Sequence, residues 1–389
     1  MNIVLFTHPN ILKHQSMPRF ARMIADGMIL RGHHVQLCTA SSIFSKLALP
    51  DPVRKWTGYI DQYLIFPALM RKRLSEYPLE TLFVFADQAL GPWVPLVKDR
   101  LHVIHCHDFL AQFSAENKVA ENKVSYTGKK YQSYIRKGYS KGKAFISVSK
   151  KTREDLHYFL GSIPLISEVV YNGVNSQYKK EDIILSRSKL KKSTCIDIDA
   201  GYLLHVGGNQ WYKNRVGVIE IYDAWRSQSV INLPLLLIGE SPDKSLLQAY
   251  MRSPYKSEIH FLSNISDEYV KYAYSGARLF IFPSYAEGFG WPIAEAMACG
   301  CPVLTTNESP MTEVGGDAAY LIPRRPASST THWAENAARQ VEEIINLTGS
   351  DLEHVINVSL SNASRFDQTT ALNKIEEIYL KVIKQSKTS

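Results

Sequence analysis

Leu279-Phe280-Ile281-Phe282-Pro283-Ser284-Tyr285-Ala286-Glu287-Gly288-Phe289-Gly290-Trp291-Pro292-Ile293-Ala294-Glu295-Ala296-Met297-Ala298-Cys299-Gly300-Cys301-Pro302-Val303 decides the fold. Residues 279–282 are a short apolar run, the pattern of a parallel strand covered on both faces. Residues 284–290 read as loop. Pro292 suits the start of a helix, where a missing N–H costs nothing, and Gly300 suits its stop. The loop glycines let backbone N–H groups approach a ligand. The helix start adds unpaired donors and a positive dipole end, which favour a phosphate. Glu287 in the loop and Glu295 about one turn into the helix frame this site. A carboxylate beside a phosphate repels it unless it faces something else. Sugar hydroxyls are the natural partner, since a carboxylate accepts their hydrogen bonds strongly.

Upstream, the same pattern occurs once more. Residues 202–206 are an apolar strand followed by Gly207-Gly208-Asn209-Gln210-Trp211-Tyr212-Lys213-Asn214-Arg215, again strand, glycine loop and helix start. The loop lacks the Gly-Lys-Ser/Thr of a nucleotide triphosphatase. Residues 235–238 and 258–262 are further strands, and Ser263-Asn264-Ile265 leads to a helix opened by Ser266, Asp267 and Glu268, a good cap with favourable charge. Residues 333–347, 351–364 and 372–384 read as helices.

The first half begins with a strand at 3–7, a helix at 19–30 and a strand at 35–39, a dinucleotide-type α/β unit. Between them lies His14-Gln15-Ser16-Met17-Pro18. Residues 81–86 are a strand ending in Asp87 and Gln88. Ligands sit at that edge of an open parallel sheet, so both are candidate acceptor contacts. Residues 102–107 are the next strand. His105-Cys106-His107-Asp108 has metal-ligand residue types, but strand alternation turns Cys106 away from both histidines, and no metal is expected. Residues 41–78 carry Trp56, then Tyr59, Tyr63 and Phe66 at helical spacing, then Arg71-Lys72-Arg73. Core packing is the simpler reading of these aromatics. The sharper one is a lid that docks a lipid-linked or saccharide acceptor, with the basic cluster facing anionic lipid. Residues 118–143 are rich in Lys and Tyr, the usual mark of a solvated helix face.

At 389 residues two domains are the default. The net charge of +8 suits an anionic ligand or an anionic membrane surface. Nucleic acid is not expected, for want of any helix-turn-helix, zinc-finger or RNA-recognition signature. Five cysteines do not make a disulfide framework. The apolar first strand is not a signal peptide and no span is expected. Together these point to a cytoplasmic protein, peripheral at most.

Glu287 and Glu295 with Gly288-Phe289-Gly290 and Pro292 between them, Pro283-Ser284 before and Glu-Ala-Met-Ala-Cys-Gly-Cys-Pro-Val after, resemble the two-glutamate motif of retaining glycosyltransferases of family four, with the GT-B fold. The resemblance covers most of the second domain and extends more weakly to the first. It implies two Rossmann-like α/β domains facing across a cleft. Residues 1–175 would form the acceptor domain, 176–195 a linker, 196–368 the sugar-nucleotide domain, and 369–389 a helix packed back on the first domain. It implies a nucleoside diphosphate sugar as donor and a saccharide or lipid-linked acceptor, without a cofactor. By position, Lys213 would meet the diphosphate, Glu287 the sugar hydroxyls and Glu295 the ribose. Ser284 and the backbone of Gly288, Phe289 and Gly290 would line the donor site, Ile265 would read the base, and His107 would lie beside the donor sugar. The family often carries an arginine shortly before its lysine. None stands here, and Arg215 or Asn209 would compensate. The paired glycines expected after the first strand are also absent, which leaves Ser16 as an acceptor contact.

Two other readings share this fold. An epimerase acting on sugar nucleotides would need further acid–base groups, and a non-catalytic binding partner would hold donor without turnover. A glycoside hydrolase using both glutamates would leave the phosphate-type loops idle.

Overall fold

The computed structural model describes residues 1–9, 16–44, 46 and 51–385. The chain forms two units, Met1–Tyr171 with Thr369–Ser389, and Asn172–Gln368.

The first unit is built on β1 (Asn2–Phe6), β2 (His34–Cys38), β3 (Leu82–Phe85), β4 (His102–Cys106), β5 (Ala144–Ser147) and β6 (Ile166–Val169). Among the described residues these form one six-stranded sheet in the order β2-β1-β3-β4-β5-β6, with every pair parallel. β3, β4 and β5 are buried along their whole length, and β3 (Leu-Phe-Val-Phe) is accordingly an unbroken apolar run, while β4 buries His102 and His105. Phe6, Phe83, Phe85, Trp93 and Phe145 fill one face. The C-terminal helix Gln368–Gln385 packs within this unit. Leu372 lies against Gly27, His33 pairs with Glu376 at 2.7 Å, and the Tyr379 hydroxyl meets His105 Nε2 at 2.7 Å.

The second unit holds β7 (Leu203–Gly207), β8 (Leu235–Gly239), β9 (Ile259–Ser263), β10 (Leu279–Phe282), β11 (Val303–Thr306) and β12 (Ala319–Ile322). Their order is β12-β11-β10-β7-β8-β9, again parallel throughout. Tyr222, Trp225, Trp333 and Val341 lie in the core over this sheet. The fold is thus two Rossmann-like parallel-sheet units, the GT-B class.

Strand order creates a switch point in each unit. The chain runs outward from β1 to β2, then crosses to β3 on the other side. It runs from β7 through β8 and β9, then returns to β10. Open α/β sheets bind ligands where the order reverses, beyond the carboxyl ends of the two strands. The loops after β1 and β3, and those after β7 and β10, are therefore the places to look.

One expectation differs from the structure. Residues 176–195, read as a linker, carry the helix Ile183–Thr194. Asp182 caps it by accepting from Leu185 N at 2.7 Å. Ser186 and Leu190 are its buried residues, and Ile183, Ile184 and Leu185 are exposed, so its helical periodicity is faint. Arg187 ties it into the second unit by donating to the carbonyls of Gly276 and Asp199, both at 2.9 Å. Asp197 and Asp199 both pair with Lys191, which accounts for this acidic pair locally. No described helix is long and apolar enough to cross a membrane.

Candidate active site

In the second unit, the switch-point loops carry the expected charged residues. After β7, Trp211–Lys213 makes one tight turn and Asn214 caps the helix Arg215–Arg226. Asn214 sits at φ 50°, accepts from Gly217 N at 3.2 Å and donates to the carbonyl of Pro283 at 2.9 Å. Tyr285 N donates to the Tyr212 carbonyl at 2.7 Å. These two bonds stitch the β7 loop to the β10 loop. As a result Lys213 Nζ meets both oxygens of Glu287, at 2.8 and 3.1 Å. Ser284 Oγ donates to Glu287 Oε1 at 2.8 Å. The Lys213 and Glu287 side chains are only 13% and 8% exposed, so the pair is little screened by water.

Arg215 lies one step behind. It is 5% exposed, and burial disfavours its charge. Its Nη1 donates to Asn209 Oδ1 at 2.5 Å and to the Glu240 carbonyl at 2.8 Å. Its Nε and Nη2 have no hydrogen-bond partner among the described residues. Asn209 is also held, donating from its backbone N to Glu240 and from its side chain to the Ser241 carbonyl. Arg215 therefore keeps two unpartnered donors, both buried, whereas Asn209 holds the loop and Arg215.

His205 was not singled out by sequence. It is fully buried on β7, and its Nδ1 donates to the Ile281 carbonyl at 2.9 Å. Its Nε2 lies beside Gly207, where a Cβ would sit 3.0 Å away. The burial of the ring, aided by the Arg215 charge, lowers its pKa to about 3, so Nε2 carries a lone pair at neutral pH. Gly207 and Gly239 pack backbone to backbone; a Cβ on Gly239 would lie 2.0 Å from the Gly207 carbonyl.

The helix Trp291–Ala298 starts after Gly290, which takes φ 104°. Phe289 is buried, edge-on to Phe366 at 5.4 Å, so its ring anchors the loop. Glu295 is 4% exposed and accepts from the Tyr274 hydroxyl at 3.4 Å. Ile265 is half-buried in the turn after β9, next to Asn264 at φ 60°.

In the first unit, the switch point holds a pair that sequence reading missed. His8 Nε2, after β1, meets Asp87 Oδ2, after β3, at 2.9 Å. Ala89 N donates to Asp87 Oδ1 at 2.8 Å. Burial opposes the charge of Asp87, but the His8 bond and charge win and lower its pKa to about 2. Gln88 accepts from His107 N at 2.9 Å and donates to the Asp108 carbonyl, so its amide braces the loop that carries His107. His107 Nε2 donates to the Ala86 carbonyl at 2.9 Å. Burial lowers its pKa while the Asp87 charge opposes that, and Phe20 packs edge-on at 4.5 Å. His105 is a core histidine bound to Tyr379, pushed down to about 3 by burial. Of the stretch 14–18, residues 14 and 15 and the Ser16 side chain lie outside the described residues. Among the described residues no group of three or more His, Cys, Asp or Glu forms a metal site.

His105 and His205 give the chain a pH signature. Their ordinary value is 6.5 and their folded value about 3. Above about pH 6.5 both are neutral folded or unfolded. Below it the unfolded chain takes up protons that the folded chain refuses, so stability falls as pH drops from about 6.5 to about 3. The urea midpoint is expected to fall steadily from about pH 7 to about pH 4. His205→Asn should flatten that slope, and an unchanged slope counts against this account.

A family model described as "Glycosyl transferases group 1" matches residues 186–351. A second, "Glycosyltransferase Family 4", matches residues 17–178. The O-antigen chain mannosyltransferase B of Escherichia coli is 38% identical over 123 residues, 31% of this chain and 32% of that protein. The O-antigen chain mannosyltransferase RfbU of Salmonella typhimurium is 29% identical over 177 residues, 45% of this chain and 44% of that protein. The matches thus span less than half the length of these two curated relatives. The crystal structure of Anabaena HepE in complex with UDP and glucose superposes with a TM-score of 0.71 at 18% identity, covering 97% of this chain and 98% of that one.

Proposed function

This chain is a group 1 glycosyltransferase with the GT-B fold, and on that premise we propose that it transfers a hexose-type sugar from a nucleoside diphosphate sugar to a saccharide or lipid-linked acceptor, with retained anomeric configuration. The observation that carries the proposal is the pair of cations on the β7 loop at the second switch point, Lys213 held against Glu287 and Arg215 behind it with Nε and Nη2 unpartnered. Such donors suit a diphosphate and act most strongly where water is excluded. The O-antigen roles in the relatives' names support surface polysaccharide or glycolipid assembly as the setting.

In this reading Lys213 exchanges its bond to Glu287 for the departing diphosphate, and Glu287 is freed to accept from sugar hydroxyls. Ser284, Asn209 and the backbone of Gly288, Phe289 and Gly290 hold the loops in place, Glu295 accepts from the ribose, and the turn at Ile265 meets the base. His107 contacts the reacting sugar, with Gln88 as its brace, and Asp87 contacts the acceptor. The acceptor hydroxyl attacks the anomeric carbon on the face the diphosphate leaves. The C–O bond to diphosphate breaks, the new C–O bond forms, and the hydroxyl proton passes to the leaving phosphate oxygen. Neither glutamate serves as a base. The basic turn Arg71, Lys72, Arg73 and the charge of +8 support peripheral contact with an anionic membrane.

The test is the anomeric configuration of the product by NMR, read directly after mixing. Retention is expected; inversion contradicts the mechanism. Glu287→Gln keeps the shape and removes the charge that orders Lys213. A loss of about 10–100-fold in kcat/KM is expected, the worth of one charge-assisted hydrogen bond. Wild-type rates would remove Glu287 from the account.

A further inference from the structure

The second candidate surface lies wholly in the first unit. The consecutive segments Asp51–Ile60, Asp61–Ile65 and Phe66–Arg73 form one long helix interrupted by a π-turn. Its aromatic residues meet those of the helix Tyr126–Tyr139. Trp56 and Tyr59 lie 5.9 Å apart between ring centres, Tyr59 and Tyr63 5.9 Å, Tyr59 and Tyr131 5.7 Å, and Tyr63 and Tyr134 5.7 Å. The Tyr63 and Tyr131 hydroxyls share a hydrogen bond of 2.6 Å. This ladder is not core. Trp56 is 66% exposed and Tyr134 46%, and Tyr59, Tyr63 and Tyr131 are half-buried.

Three features tie the ladder to the His8–Asp87 pair. The segment Gln88–Val97, capped by Asp87, is clamped to both helices. Trp93 Nε1 donates to the Gln62 carbonyl at 2.8 Å. On the other side, Gly91 and Gly138 approach so closely that a Cβ on Gly138 would lie 2.1 Å from the Gly91 carbonyl. Next, the π-turn carries Tyr63, and such turns recur at functional sites. Here Asp61 points away from the ladder's chemistry, accepting from Ile43 N and Phe44 N at 3.1 and 3.0 Å. Finally, burial raises the Tyr131 phenol, and the Asp87 charge adds to the rise, which puts the two within electrostatic reach.

Given the transferase reading above, we propose that Trp56, Tyr59, Tyr63, Tyr131 and Tyr134 form a stacking surface for the sugar rings of a saccharide acceptor, leading to Asp87. The chemistry fits a pyranose. The ring faces are apolar and match its C–H face, and the phenol hydroxyls of Tyr59 and Tyr134 add polar groups for its hydroxyl rim, while those of Tyr63 and Tyr131 bond to each other. The five side chains are aromatic and include no carboxylate, amine or guanidinium to pair with a charged sugar, so the ligand recognised is a neutral sugar. A lipid surface is the rival occupant, because Ile60 and Leu64 are 38% and 65% exposed on the same helix.

The test uses the whole chain and needs no turnover. Saturation-transfer NMR is run with a panel of methyl disaccharides of mannose, glucose, galactose and N-acetylglucosamine. At least one should receive saturation at its ring C–H protons. Tyr59→Ala and Tyr131→Ala should weaken its binding about tenfold or more, whereas Tyr63→Phe, which keeps the ring, and Leu64→Ser should bind within about threefold of wild type. Thermal shift by UDP and GDP, unchanged in all variants, shows that they are folded. Equal binding by wild type and Tyr59→Ala overturns the proposal, and so does a panel with no binder. Loss of sedimentation with phosphatidylglycerol vesicles in the tyrosine variants, with saccharide binding intact, assigns the surface to lipid and also overturns it. Nucleotide binding without saccharide binding sinks the ladder and leaves the transferase reading standing. Saccharide binding without nucleotide binding does the reverse.

Discussion

Lys213→Ala is expected to lower kcat about 10²–10³-fold, the usual cost of removing one preorganised donor from a developing anion. The backbone of Lys213 is fixed by the turn before Asn214 and by the stitch from Tyr285 N to the Tyr212 carbonyl, so only its side chain has to turn from Glu287 to the departing phosphate. The same substitution leaves Glu287, whose side chain is 8% exposed, without its cation, and breaking a little-exposed pair from one side is destabilising. Stability and catalysis can be separated. The double variant Lys213→Ala/Glu287→Gln removes the uncompensated charge. It should melt closer to wild type than Lys213→Ala alone, and its activity should stay as low or lower. Recovery of activity in the double variant would mean that Lys213 acts only as a structural partner.

Gly239→Ala should be the most damaging small substitution at the donor edge. The new Cβ would lie 2.0 Å from the carbonyl of Gly207, which is backbone and cannot swing aside. Gly239 also takes φ +142°, where an L side chain is strained. Overpacking and backbone strain together suggest about 3–5 kcal/mol. β7 and β8 would have to separate at the end that leads into Lys213 and Arg215. The expectation is a lower urea midpoint together with weakened nucleotide binding. The control is Gly32→Ala, also at positive φ but with open space around it, which should cost only the backbone term of about 1–2 kcal/mol.

The central parallel strands are legible in the sequence because burial on both faces leaves them apolar or nearly so, as in Leu235–Gly239 and Leu279–Phe282. The two-glutamate stretch is legible because a helix start with loop glycines can serve few other purposes. What sequence does not carry is pairing across distance. Lys213 and Glu287 stand 74 residues apart, and His8 and Asp87 79. Each pair exists because its two strands adjoin at a switch point, and strand order is set by the whole sheet. His205 is hidden for another reason. Within β7 it reads as one polar residue among apolar ones, and its chemistry arises only from the Ile281 carbonyl and from Gly207. The choice between Arg215 and Asn209 likewise needs coordinates, since only the hydrogen-bond count reveals which one has donors to spare. The segment Gln88–Val97 escapes because its tight turns carry Pro92 and Pro95, which read as breakers in any longer helix.

The most direct test of the donor site is a thermal-shift screen of the whole chain against nucleoside diphosphate sugars, repeated with Lys213→Ala and Glu295→Ala. A ligand that binds only the folded chain raises the melting temperature by mass action. One donor should shift the wild type by several degrees, and neither variant should respond to it at the same concentration. Equal shifts in wild type and both variants would place the donor elsewhere and contradict the account.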